Sequence, residues 1–240
     1  QIVLGLNVSY NKDINPIATL YRYNSTTGAY ESKPMNVKGG DMWKFGFNYD
    51  QGIGVYFRLM NKFKVLTSKS YGFLTIVDNN DPNAVPDLNL QKRLGIDENF
   101  DLSYEAEKVQ LTLFNDLQWN RYRYDDDTYN SSPLYNSLGI SVRLKLSPLE
   151  MYIRLSDDFR KGYATSDMNG HKLMSMASIS YGFCKNKCRL SLYVDDIFNN
   201  DIWYYNDYSA FQRTESSTNY IHHYANLTFS YRFDAKAKKK

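Results

Sequence analysis

The chain has no run of about eighteen apolar residues, so no segment of it reads as a membrane-crossing helix. It has only two cysteines, Cys184 and Cys188, which excludes a fold stapled by several disulfides. Histidine is scarce too, limited to His171, His222 and His223. The adjacent pair points to opposite faces of a strand, a poor arrangement for chelation, and no metal site is expected. Ser217 lies near His222, but no third residue is placed to complete a hydrolytic triad, and no enzyme is expected. Gly52 and Gly54 begin a G-x-G, yet Phe57 stands where a phosphate-cradling loop needs its third glycine, so the segment reads as a hairpin turn. Lysine and arginine total 29 against 26 acidic residues, a net charge of +3 that is too balanced for a nucleic-acid partner.

What the chain does have is aromatic residues, 16% of the total with 22 tyrosines, and a two-residue period that recurs from end to end. In the run Tyr224 to Phe233, Ala225, Leu227, Phe229, Tyr231 and Phe233 share one face, while Asn226, Thr228, Ser230 and Arg232 share the other. Leu138 to Leu146 alternates in the same way, with Gly139, Ser141, Arg143 and Lys145 on its polar side. Similar runs are Ile2 to Val8, Trp43 to Tyr49, Val55 to Leu59, Val109 to Trp119, Met151 to Leu155, Ala177 to Phe183 and Leu190 to Val194. Helical spacing fits none of them as well. The run Leu94 to Tyr104 keeps phase but puts Glu98 on its apolar face, which places that residue at or beyond the edge of any apolar belt.

Short and long connections take turns along the chain. Short ones are expected at Asn11 to Ile14, Asp50 to Ile53, Glu105 to Lys108, Ser147 to Glu150 and Cys184 to Cys188. Longer polar segments lie at Ser25 to Gly40, Asp78 to Pro86, Asp125 to Pro133, Gly162 to Gly170 and about Asn200 to Asn219. Strict alternation of this kind is expected of an up-and-down outer-membrane barrel, with short periplasmic turns and long outer loops. The fold class predicted is therefore all-β, an antiparallel transmembrane β-barrel with about eleven strands over residues 1–233, followed by a basic tail, 234–240, read as solvated. With the C-terminal end in the periplasm, an odd count starts the first strand outside the cell, so the chain reads as the C-terminal portion of a longer barrel. A soluble secreted β-sandwich or adhesin, and a structural or secretion-channel barrel of an envelope complex, are the competing readings.

Several residues stand out as candidates for chemistry. On polar faces, Lys44, Arg58, Arg143, Lys145 and Arg232 are the expected lining of a lumen and would set its field. Asp125, Asp126 and Asp127 form an acidic run in an outer loop, either a cation or cationic-ligand contact or a solvated loop. Trp203, Tyr204 and Tyr205 can stack on a flat ligand at the outer mouth or belong to an interfacial aromatic belt. Cys184 and Cys188 flank a tight hairpin and are either a cross-strand disulfide or two free thiols.

LSLYVDDIFNN, with Asp196, Ile197, Phe198 and Asn199, followed by the closing strand YANLTFSYRF, resembles the end of TonB-dependent outer-membrane transporters. SKPMNVKGG, around Asn36 and Val37, resembles a mid-barrel segment of the same superfamily. The resemblance implies the C-terminal half of a 22-stranded barrel in the bacterial outer membrane, closed by a plug domain and importing a scarce nutrient. The partners it implies are outer-membrane lipid, the N-terminal barrel and plug segment, an inner-membrane energy-coupling protein and a surface lipoprotein, with no cofactor. The segment DAKAKKK departs from the family by extending beyond Phe233.

Overall fold

The alternating runs pair into one large antiparallel sheet. The structure is a computed structural model that describes residues 2–73, 77–78, 87–125, 127–185, 187–200, 203–209, 213–218 and 223–233. The strands are β1 (Ile2–Lys12), β2 (Ile17–Asn24), β3 (Ala29–Asn36), β4 (Asp41–Ile53), β5 (Phe57–Phe73), β6 (Val77–Asp78), β7 (Leu88–Glu105) and β8 (Val109–Arg123). They continue with β9 (Leu134–Leu146), β10 (Leu149–Lys161), β11 (Gly170–Phe183), β12 (Cys188–Asp195), β13 (Trp203–Tyr208), β14 (Arg213–Thr218) and β15 (Tyr224–Tyr231). Ten of them form the principal sheet, in the order β1-β4-β5-β7-β8-β9-β10-β11-β12-β15. Every pairing in it is antiparallel, and β1 and β15 are its two edges, so the sheet is open rather than closed into a barrel.

The principal sheet has ten strands, where the sequence suggests eleven. The difference is β2, which does not return alongside β1. It pairs with β3 as a separate hairpin, and β1 pairs with β4 directly, Lys12 opposite Asp41 and Ile2 opposite Gln51. In consequence β1 starts, and β15 ends, at the rim that carries the short turns, contrary to the expectation that the first strand starts at the opposite rim. Two hairpins stand outside the principal sheet: β2–β3, whose second strand falls within the expected loop Ser25 to Gly40, and β13–β14, which lies within the expected loop Asn200 to Asn219. Leu20, Val37 and Phe73 bury against one another and tie the first of these to the end of β5.

The two faces of the sheet differ sharply. Along β9, Leu138, Ile140, Val142, Leu144 and Leu146 share a face with Leu113 and Leu111 of β8 and with Ile153 and Met151 of β10. Among the described residues no second layer covers this apolar face: Leu6 is 67% exposed, Ile140 45% and Leu227 67%. A soluble sandwich would bury such a surface.

Aromatic side chains border the apolar face along two lines. On the long-loop side are Trp43, level through the register with Arg121, then Trp119, then Phe159, level with Leu117. That line drops four residues, from 121 to 117 on β8, between β4 and β10. On the short-turn side, Tyr104 is level with Ala177 of β11, and Tyr181 lies four residues further along, level with Phe229 through Leu190. Between β4 and β11 the two lines therefore descend together by about one residue per strand, and from β11 to β15 the short-turn line runs level. With a rise of about 3.4 Å per residue and strands about 4.8 Å apart, this slope corresponds to a tilt of about 30–35°. The lines are separated by about nine residues, a height of about 25 Å at that tilt.

The polar face includes a closely packed unit that alternation conceals. Phe114 is buried there, with the Arg154 Cζ 3.6 Å from its ring centroid. Gly139, on the neighbouring strand, makes room for it: a Cβ at that position would sit 2.3 Å from Phe114 Cζ and 2.4 Å from the Leu155 carbonyl oxygen. Gly139→Val is expected to cost about 2–3 kcal/mol through overpacking, whereas Gly52→Ala, with open space around it, is expected to cost less than about 1 kcal/mol. Comparing urea midpoints of the two variants checks this.

Candidate functional site

The polar face carries a series of ionic and hydrogen-bonding pairs. Near the short turns, Arg58 binds Asp50 through two parallel bonds of 2.9 and 2.6 Å. Lys64 pairs with Asp97 at 3.2 Å, and Asn99 donates to Asp116 at 2.6 Å. Lys44 lies on the same face, between Ser9 and Leu66 in the register. Arg143 stacks over Tyr152 at 5.3 Å, and Arg189 reaches Glu150 at 2.5 Å. Lys145, Arg189 and Arg232 line a cavity of about 750 Å³ at this rim, with Glu150 as its acidic member. All five lining candidates named from the sequence thus fall on the polar side, Arg232 just past the end of β15.

Toward the long loops the face is capped. Asp158 is buried and accepts bonds from Ser137 at 2.7 Å and Tyr135 at 3.0 Å, with the Arg160 guanidinium 3.9 Å away. Arg160 in turn lies between two rings, 4.9 Å from the Tyr135 centroid and 4.6 Å from that of Tyr204. Lys172 also stands over the Tyr204 ring, 4.5 Å from its centroid, and donates to its hydroxyl, which itself donates to the Asp167 carbonyl at 2.6 Å. A cavity of about 190 Å³ opens here, lined by Gln118, Asn120, Tyr135, Arg160, Tyr204 and Asn206 among others. Ring faces, amides and a guanidinium around so small a space suit a polar ligand with a flat face.

The β13–β14 hairpin closes this end. Tyr208 stacks on Tyr122, centroids 4.5 Å apart, and the Tyr124 hydroxyl donates to the Ser209 carbonyl at 3.0 Å. At the centre of the contact Glu215, whose side chain is 4% exposed, accepts bonds from the Tyr208 hydroxyl at 2.5 Å, Arg213 at 2.8 Å and the Thr165 N–H at 2.8 Å. Burial pushes the Glu215 carboxyl up, but these three donors outweigh it and hold the group below the ordinary glutamate range. Burial and the bond to Glu215 push the Tyr208 phenol up, so it remains a donor at neutral pH.

Of the aromatic candidates, Tyr204 belongs to this cap, Tyr205 is half-exposed, and Trp203 pairs its backbone with Thr218. Asp125 and Asp127, the described members of the acidic run, bond elsewhere. Asp125 accepts from the Leu90 N–H at 3.1 Å, Asp127 is tied to Asn130 in a short turn, and Asp126 lies outside the described residues. Cys184 and Cys188 are free thiols, the first exposed and the second buried. Asp196 begins the turn after β12: its side chain accepts from the Asn200 N–H at 3.0 Å, and its carbonyl contacts His223 Nδ1 at 2.7 Å, so the Asp-Ile-Phe-Asn element joins β12 to β15. Asp158, Arg160 and Glu215 were not singled out by sequence. For the first two, the alternation Arg154, Ser156, Asp158, Arg160 was the available signal, whereas Glu215 lies in a run with no period at all.

No protein-family model, curated protein or solved structure matches this chain significantly.

Proposed function

We propose that this chain is an arc of an outer-membrane β-barrel whose polar face lines a passage for a solute, in a transporter of the TonB-dependent kind. The observation that carries the membrane reading is the uncovered apolar face bordered by two parallel aromatic lines. Their spacing of about 25 Å and the tilt of about 30–35° agree with the apolar band and strand tilt of outer-membrane barrels. Aromatic side chains at both borders suit the two lipid–water interfaces. The assignment to nutrient uptake rests on the resemblance of Leu190 to Phe233 to the closing strands of that family.

Open edges bear on the architecture. An unpaired backbone N–H or C=O in hydrocarbon costs several kcal/mol, so β1 and β15 need partners wherever they cross lipid. In the half-barrel reading, strands of a 22-stranded cylinder supply those partners, with a plug inside. The inner-membrane energy-coupling protein and a surface lipoprotein belong to the same reading. The short-turn rim is then periplasmic, and the capped end, with the β13–β14 hairpin, faces outward.

The test is made on the intact gene product. It is expected in the outer-membrane fraction, soluble only with detergent, with a folded form that migrates differently from its boiled form. Uptake of its solute is expected to stop when the inner-membrane energy source is removed. Recovery without detergent rejects the membrane reading. Uptake that persists without the energy source rejects the TonB-dependent one.

A further inference from the structure

On the apolar face, six polar residues stand on six successive strands and alternate between two neighbouring rows of the register. They are Asn61 on β5, Glu98 on β7, Asn115 on β8, Asn136 on β9, Asp157 on β10 and His171 on β11. Each is the diagonal neighbour of the next, since Glu98, Asn136 and His171 are level with Leu117, while Asn61 and Asp157 are level with Asn115. The row of six runs straight across the strands, whereas the aromatic lines slope. Its β10–β11 end therefore reaches the border, where Phe159 lies against His171, and its β5–β8 end lies inside the apolar belt.

The two ends differ in what holds them. At the border, His171 Nδ1 is 2.8 Å from Asp157. Inside the belt, Asn61 donates to Glu98 Oε1 at 2.7 Å, while Glu98 Oε2 and the Asn115 amide have no hydrogen-bond partner among the described residues. Phe63, Phe100 and Leu117 surround them on the same face. In hydrocarbon, such groups are costly unless another protein supplies partners, and ionisable residues there mark functional contacts.

We propose that two copies of this chain pair laterally in the membrane through β7 and β8, with Glu98 of each copy accepting a bond from Asn115 of the other. This rests on the reading that the apolar face meets lipid. Complementarity selects a second copy: the patch offers an unfilled acceptor and an unfilled amide side by side, as an isologous contact requires. Depth agrees as well. Once the slope of the belt is allowed for, Glu98 and Asn115 lie within about one residue, roughly 3 Å, of the same level, so a two-fold axis along the membrane normal brings them together.

The experiment uses the intact gene product in outer-membrane vesicles, carrying Leu117→Cys in a Cys184→Ser, Cys188→Ser background and treated with a short bis-maleimide. A covalent species of twice the monomer mass is expected. Adding Glu98→Leu and Asn115→Leu together is expected to reduce it at least tenfold, while Asn115→Gln retains it and all variants keep the heat-modifiable folded band. Cross-linking that is unchanged by the double leucine variant overturns the proposal, as does a folded membrane protein that gives only monomer or only adducts with a different protein. Absence of the folded band from the membrane fraction in the parent protein instead overturns the membrane reading beneath it.

Discussion

Ile140→Arg is expected to lose about 2–4 kcal/mol of folding free energy in lipid, a factor of about 30 to 1,000 in the folded population, while Ser141→Arg one position away loses almost nothing. Ile140 is near the middle of the apolar belt on an interior strand, beside Leu113 and Leu155. A guanidinium there must leave water or deform the bilayer to reach it. Ser141 faces the polar side, level with Arg154 and Thr112, where an added guanidinium stays in water and the charge of Arg154 is screened. Urea unfolding of both variants in phospholipid vesicles gives the comparison directly. Equal losses for the two substitutions would show that the face carrying Ile140 is not the one that meets hydrocarbon.

The second large effect concerns the cap. Glu215→Ala removes the common acceptor of Tyr208, Arg213 and the Thr165 N–H, and is expected to cost about 2–3 kcal/mol of hairpin docking. Hydrogen exchange of segment 203–218 should then rise by about thirty- to a hundred-fold, with the exchange of β9 and β10 unchanged. Acid is expected to act on the same contact. The carboxyl of Glu215 is held below its ordinary value of 4.5, so its contribution is fully present above that pH. It is lost as the pH falls through the lowered value, and exchange in the hairpin should rise only in that acidic window. Glu215→Gln, which keeps an acceptor but cannot titrate, should show a smaller loss and no such window. A hairpin whose exchange ignores both substitution and acid would remove Glu215 from its central place.

How much of this was legible beforehand depends on the range of the interaction. The ten strands of the sheet announce themselves because each alternates by itself, and alternation is a property of neighbours in sequence. The partner of a strand is not. Ile17–Asn24 is expected as a strand of the sheet because it lies between a short connection and a long one, yet it pairs with Ala29–Asn36, whose Glu31, Lys33 and Pro34 disguise it as loop. Segment 213–218, RTESST, has no apolar residue, and its pairing is fixed by Glu215 and by the Tyr208–Tyr122 stack. Phe114 and Gly139 are a single packing unit spread over two strands, and neither residue signals the other. The polar row across β5 to β11 is legible only once the register is known, because each member alone reads as an exception on its own strand. Glu98 is the clearest case: at the sequence level it belongs at an edge, and in the register it sits between the two aromatic lines.

Since β1 begins and β15 ends at the same rim, the principal sheet consists of five complete there-and-back excursions of the chain. Such a design grows by whole excursions. Adding or deleting one changes the girth by about 10 Å, two strand spacings, and leaves every other connection on its own side. A single strand gained or lost would invert everything that follows, so duplication in lineages built this way is constrained to even steps.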